Sequence, residues 1–205
     1  MRKVRIAVLV SGGGTNLQSL MDTAGKGELN GEIVLVIADR KDAYALERAE
    51  RHGIKAVYIE REQLSGRLLT KLREMKVELV VLAGFLSILD SELVKAYEGR
   101  IINIHPSLIP AFCGKGYYGE KVHEAAVEYG VKVSGATVHF VDEGTDSGPI
   151  ILQEPVPVYE EDTAGTLAAR VLEVEHRLLP EAVRLYCGGK LRIEGRKVII
   201  ARKEG

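Results

Sequence analysis

Asn103 and His105 stand two residues apart at the end of an apolar run, with Pro106 directly after them. Alternate residues of a strand share a face, so the amide and the imidazole point the same way, and the proline ends the strand. A polar pair at the end of an apolar strand is costly unless it is paired or used. The pair can serve as a hydrogen-bond donor beside a proton-transfer group. It can equally be a strand-end histidine satisfied by backbone, and spacing alone leaves both readings open.

A second candidate is Ser11-Gly12-Gly13-Gly14-Thr15-Asn16, which joins an apolar strand to a helix. Glycines let the backbone approach a ligand, and a helix N-terminus offers free N–H groups to an anion. No Gly-Lys-Ser/Thr follows, so this is not a P-loop. The dinucleotide pattern Gly-x-Gly-x-x-Gly fails at Leu17. A phosphate monoester suits the loop better, although a ligand-free turn has the same composition. Asp146 lies in a glycine-rich loop, residues 141–149. Beside His105 its carboxylate would raise the imidazole pKa and favour imidazolium, whereas many loop aspartates are simply solvated. Among the other histidines, His52 and His123 read as surface helix residues. His139 alternates with apolar strand positions and reads as structural, and His176 adjoins Glu175 on a long helix. Cys113 sits in a glycine-rich loop without an evident base. The two cysteines and five histidines show no metal-ligand spacing, so no metal is expected.

The elements that must position these residues alternate strand and helix. Residues 4–10, 33–38, 56–59, 79–83 and 101–104 read as strands. Residues 43–52, 65–75 and 92–97 read as helices, with another starting near Asn16. Repeated βα units imply an α/β fold: an open, mostly parallel, Rossmann-like twisted sheet with helices on both faces. The character then changes. A helix near 122–129 is followed by strands at 136–141 and 150–158, and Pro155 and Pro157 suit an edge strand. A long helix from about 166 to 186 carries Pro180, which should kink it, and 190–193 with 197–201 form a terminal hairpin. Ligands of such sheets bind beyond the carboxyl ends of the strands. Residues 11–16, 84–89 and 103–106 all follow strand ends, which points to one site.

With 205 residues, 46% hydrophobic and 28% charged, the chain suits one globular domain. The formal net charge of -1 argues against a nonspecific nucleic-acid binder. The first apolar run is too short for a secretory or membrane segment. Two cysteines do not make a disulfide framework, so free thiols in a cytoplasmic protein are expected.

Three segments in order, 11–18 (SGGGTNLQ), 103–110 (NIHPSLIP) and His139 with Asp146-Ser147-Gly148-Pro149, resemble the glycinamide ribonucleotide formyltransferase family, and the resemblance runs from Val4 to about Tyr186. It implies a single formyltransferase domain over 1–205. Residues 1–102 would form a phosphate-binding half and 103–205 a folate-binding, catalytic half. It implies 10-formyltetrahydrofolate as formyl donor, glycinamide ribonucleotide as acceptor, and a place in purine biosynthesis and one-carbon metabolism. Position by position it makes Asn103, His105 and Asp146 the catalytic trio. Gly14, Thr15 and Asn16, with Leu172, Glu173, Val174 and Glu175, would hold the ribonucleotide. Arg61, Leu86, Ser87, Ile88, Leu89, Asn103, Asp142, Glu143, Gly144, Thr145 and Asp146 would hold the folate. Ser87 departs from the family's pattern, which usually carries arginine there, so either Arg61 gains weight or folate binds less tightly. The glycine-rich stretch 113–119 resembles a flexible active-site loop suited to closing over substrates.

In the implied reaction the acceptor amine attacks the formyl carbon. Imidazolium His105 and the Asn103 amide stabilise the oxyanion, and Asp146 keeps His105 charged. Relatives acting on tRNA carry a further C-terminal domain, and formyltetrahydrofolate hydrolases a further N-terminal one. The length of 205 residues favours the ribonucleotide enzyme, as a monomer or homodimer without nucleic-acid or membrane partners. A non-catalytic nucleotide-binding module is the alternative from another class.

Overall fold

The computed structural model describes residues 2–201. Its strands are β1 (Val4–Val10), β2 (Gly31–Ala38), β3 (Ala56–Tyr58), β4 (Leu79–Leu82), β5 (Ile101–His105), β6 (Val133–Phe140), β7 (Ile150–Pro157), β8 (Leu191–Glu194) and β9 (Lys197–Ile200). The helices are α1 (Thr15–Gly25), α2 (Tyr44–Arg51), α3 (Leu64–Glu74), α4 (Ser91–Ala96), α5 (Glu120–Tyr129) and α6 (Ala164–Cys187). The strands form one sheet in the order β3-β2-β1-β4-β5-β6-β7-β9-β8. The first five run parallel, and β6 then turns antiparallel against β5.

Residues 6–10 of β1 are buried without exception, as expected for a strand covered on both faces. Alternate side chains feed two cores. Ile6, Val8 and Val10 pack with α1, α2, α5 and α6, while Ala7 and Leu9 pack with α3 and α4. The long α6 starts with a capping box in which Thr163 and Thr166 satisfy each other's backbone N–H. It carries an apolar stripe down to Leu185. Pro180 lies inside it, and the helix runs on past the proline to Cys187. The expected edge strand β7 joins β9 through a single pair, Ile150 with Lys197, and β8 forms the outer rim. Beyond Ile150, where Pro155 and Pro157 cannot donate, β7 has no outer strand partner among the described residues.

The strand order reverses between β1 and β4, and both carboxyl ends open on the same edge. Two bonds tie the following segments together. Ser11 N–H donates to Gly84 O at 3.1 Å, and Leu86 N–H donates to Ser11 Oγ at 2.8 Å. Next to them, β5 ends against the middle of β6, with Asn103 opposite His139 and His105 opposite Thr137. Gly135 of β6 allows this close packing. A Cβ there would strike the Glu154 carbonyl and lie 2.7 Å from Leu108 Cδ2. Gly135→Ala should therefore destabilise the protein by about 1–3 kcal/mol, the usual effect of overpacking. Urea unfolding checks this, and a loss below about 0.5 kcal/mol would refute the packing described.

Candidate active site

The carboxyl end of β5 brings Asn103 and His105 onto one face, as their spacing requires. The loop after β6 brings Asp146 to them in a left-handed conformation, φ 53°. Asp146 Oδ2 lies 3.5 Å from His105 Nδ1 and accepts a hydrogen bond from Gly114 N–H at 2.9 Å. Asp146 Oδ1 lies 3.7 Å from His139 Nε2.

His139 is therefore part of the site and not merely structural. Its Nδ1 is 2.8 Å from the Phe140 carbonyl. A carbonyl only accepts, so Nδ1 carries a proton, and as placed Nε2 accepts from Asn103 Nδ2 at 3.1 Å. This assigns the Asn103 amide orientation and leaves its second N–H free. On β6, Thr137 and His139 lie on the face opposite Ala136, Val138 and Phe140, which enter the core. That alternation was visible in the sequence; the pairing with Asn103 was not.

His105 departs from the expected imidazolium. Burial pushes its pKa below the ordinary value, outweighing the opposing pull of Asp146 and of the Phe112 carbonyl. Its Nε2–H donates to Phe112 O at 2.9 Å, so the lone pair of the neutral ring lies on Nδ1, facing Asp146. Burial acts on Asp146 in the opposite sense, but the positive charge that His139 and His105 can take up, together with the Gly114 N–H, holds its carboxyl below the usual range. The resting pair is thus a carboxylate facing an imidazole lone pair, with room for one proton between them. His123 is buried rather than on the surface. Its Nδ1 has no partner, and burial with the nearby His105 lowers its pKa to about 4. The Cys113 thiol donates to Pro110 O, and burial pushes its pKa up, against a nucleophile there.

One cavity of about 520 Å³ gathers Asn103, His105, His139, Asp146, residues 86–89 and residues 142–145. The segment 114–119, with Tyr117 and Tyr118, forms another of its walls. Leu86 and Ile88 expose apolar surface there, Ile88 to 87%. Arg61 does not line the cavity; it reaches it through Asp39, which binds both Arg61 and Ser87.

The expected ribonucleotide residues form a separate group. Gly14 adopts φ 72° before α1, where a Cβ would lie 2.6 Å from Ala45 Cβ. Arg48 and Ala45 of α2 bind the carbonyls of Gly13 and Gly12. Thr15 is exposed, and Asn16 is buried with Nδ2 donating to Glu175 Oε2 at 2.6 Å. Of the α6 residues, Glu173 is exposed, Leu172 half-buried, and Val174 packs in the core. Among the described residues there is no cluster of three metal-binding side chains and no helix long and apolar enough to cross a membrane.

The sheet, its switch point and this cavity define a formyltransferase-type α/β domain, and the chain belongs to the formyl transferase family, whose profile matches residues 4–183. A crystal structure of glycinamide ribonucleotide transformylase 1 from Symbiobacterium toebii superposes with a TM-score of 0.92 at 46% identity, covering 98% of this chain and 95% of that one. The phosphoribosylglycinamide formyltransferase of Haemophilus influenzae is 37% identical over 93% of this chain and 90% of its own. The chloroplastic enzyme of that name from Vigna unguiculata is 42% identical over 91% of this chain, which spans 62% of that relative's length. A formyltetrahydrofolate deformylase from Pseudomonas syringae shares the fold with a TM-score of 0.90 at 27% identity, covering 98% of this chain and 66% of that one.

Glu175 is buried with a single donor, Asn16, and burial raises its pKa to about 7 from 4.5. A carboxyl raised in the folded state keeps a proton that the unfolded chain has lost. Its stabilisation is therefore complete below about pH 4.5 and is lost as pH rises through about 7. Glu175→Gln should gain about 3 kcal/mol relative to the parent between pH 4.5 and 8, at about 1.4 kcal/mol per unit. Urea unfolding at both pH values tests this; parallel pH profiles for the two proteins would contradict it.

Proposed function

We propose that this protein transfers the formyl group of 10-formyltetrahydrofolate to the amine of glycinamide ribonucleotide, a step of purine biosynthesis. The observation that carries the reading is the convergence of Asn103, His105, His139 and Asp146 on one cavity bounded by the expected folate loops. The relatives named above support the choice of acceptor.

The folate head would lie against residues 86–89 and 142–146, between the apolar surface of Leu86 and Ile88 and the polar backbone of the second loop. The ribonucleotide phosphate would sit on Gly14, Thr15 and Asn16 at the start of α1, and residues 172–175 with Glu175 would face its ribose or amine end. The phosphate would thus bind in the first half of the chain, and catalysis would centre on the second.

The acceptor amine attacks the formyl carbon and an oxyanion forms. The free Asn103 N–H, on an amide held by His139, donates to it. In the overall exchange the amine gives up a proton and N10 of tetrahydrofolate gains one. The space between His105 Nδ1 and Asp146 can hold that proton in transit. Protonation there makes His105 cationic only while the oxyanion exists, which is the moment when charge stabilises the transition state. The Phe112 carbonyl engages Nε2–H at rest, so the loop bearing it must shift before that N–H can serve substrate. A closed loop over the cavity would keep water from the formyl group.

Incubation with 10-formyltetrahydrofolate, with and without glycinamide ribonucleotide, tests the reading by following deformylated folate. Release that depends on the ribonucleotide is expected. Release that ignores it points to a hydrolase, and none at all to a binding module. Asn103→Ala should lower kcat about 10²–10³-fold, as loss of an oxyanion donor does. Asp146→Asn should remove most turnover while equilibrium dialysis still detects both substrates; near-parental turnover would contradict its role.

A further inference from the structure

Asp39 follows β2 directly, and its side chain is fully buried. One of its oxygens, Oδ2, accepts from Arg61 Nε at 3.1 Å and from Ser87 Oγ at 2.6 Å. The other oxygen, Oδ1, is buried without a partner. Burying a carboxylate is tolerated when a cation answers it. Arg61 is that cation, and it is only half-buried, its side chain 51% exposed. With Nε spent on Asp39, the guanidinium keeps its outer edge, Nη1 and Nη2, which has no partner among the described residues. That edge is the one that binds a second carboxylate through two parallel bonds. Ser87 hangs from the same Asp39 oxygen and lines the cavity proposed for the folate.

We infer that Asp39 is a positioning residue that sets donor specificity: it fixes Arg61 beside Ser87 so that its free edge reads a carboxylate on the tail of the formyl donor. The inference rests on the proposed folate donor, whose glutamyl tail ends in carboxylates. An arginine side chain loses much rotamer freedom when it binds, and anchoring it at Nε removes part of that loss beforehand. A serine at 87 suits the arrangement, because a long cation there would compete with Arg61 for the single buried carboxylate. Removing Arg61 itself would leave a buried charge unanswered, so the informative changes are at Asp39 and Ser87.

The test compares 10-formyltetrahydrofolate with 10-formyltetrahydropteroate, the same donor without its glutamate. Asp39→Asn should raise KM for the glutamylated donor about tenfold, leave kcat within about twofold, and leave both constants for the truncated donor unchanged. Ser87→Ala, which removes one hydroxyl and keeps the charge pair, should raise the ratio of KM for the glutamylated donor to KM for the truncated donor about threefold and remains informative if Asp39→Asn folds poorly. Equal KM increases for both donors would mean a structural role and overturn the inference. A lower KM for the glutamylated donor would also overturn it, because Asp39 would then be competing with the tail rather than placing Arg61. Equilibrium binding of folate and pteroate to the same variants reads tail selectivity without turnover, so a failure of the formyl-transfer reading is seen separately from a failure of this one.

Discussion

A single half-buried carboxylate, that of Asp146, is the point on which the site depends. It faces two histidines from different strands and takes the backbone N–H of Gly114 from the glycine-rich segment opposite. None of these elements is adjacent in sequence. The antiparallel pairing of β5 with β6 sets the two imidazoles side by side, and the loop after β6 must fold back, with Asp146 at positive φ, to meet them. The ion is favoured at rest by the Gly114 N–H and further by any positive charge the two histidines take up, against the cost of burial.

The contrast with Glu175 shows how environment divides labour between two carboxyl groups of one chain. Glu175 is buried with one amide donor and drifts up to about 7, whereas Asp146 has several favourable partners and stays below the usual range. The first is suited to a hydrogen bond with a neutral ligand group. The second is suited to holding a charge beside His105.

Much of the frame was legible in the sequence. The continuous apolar run of β1, the glycines after it and the Asn103–His105 spacing each carry local rules that the structure obeys. What was hidden depends on packing between distant segments. His123 looked exposed because it lies on an amphipathic helix, but α5 turns it toward His105. His139 looked structural because only the β5–β6 register sets it opposite Asn103. Asp39 stands beside Arg40, Lys41 and Asp42, and its burial follows from how Arg61 and Ser87 close over it. The downward push on the His105 pKa was hidden for a similar reason. Proximity to a carboxylate is visible from family likeness, whereas the depth of burial that opposes it is not.

The central claim is that His105 rests neutral, with its proton on Nε2 and its lone pair toward Asp146, and becomes charged only as the reaction proceeds. Nitrogen NMR of the histidine-labelled protein at pH 7, with His105 assigned by substitution, tests this most directly. The account predicts a neutral ring protonated at Nε2, titrating below the ordinary histidine value. An imidazolium at pH 7 in the ligand-free protein would contradict it.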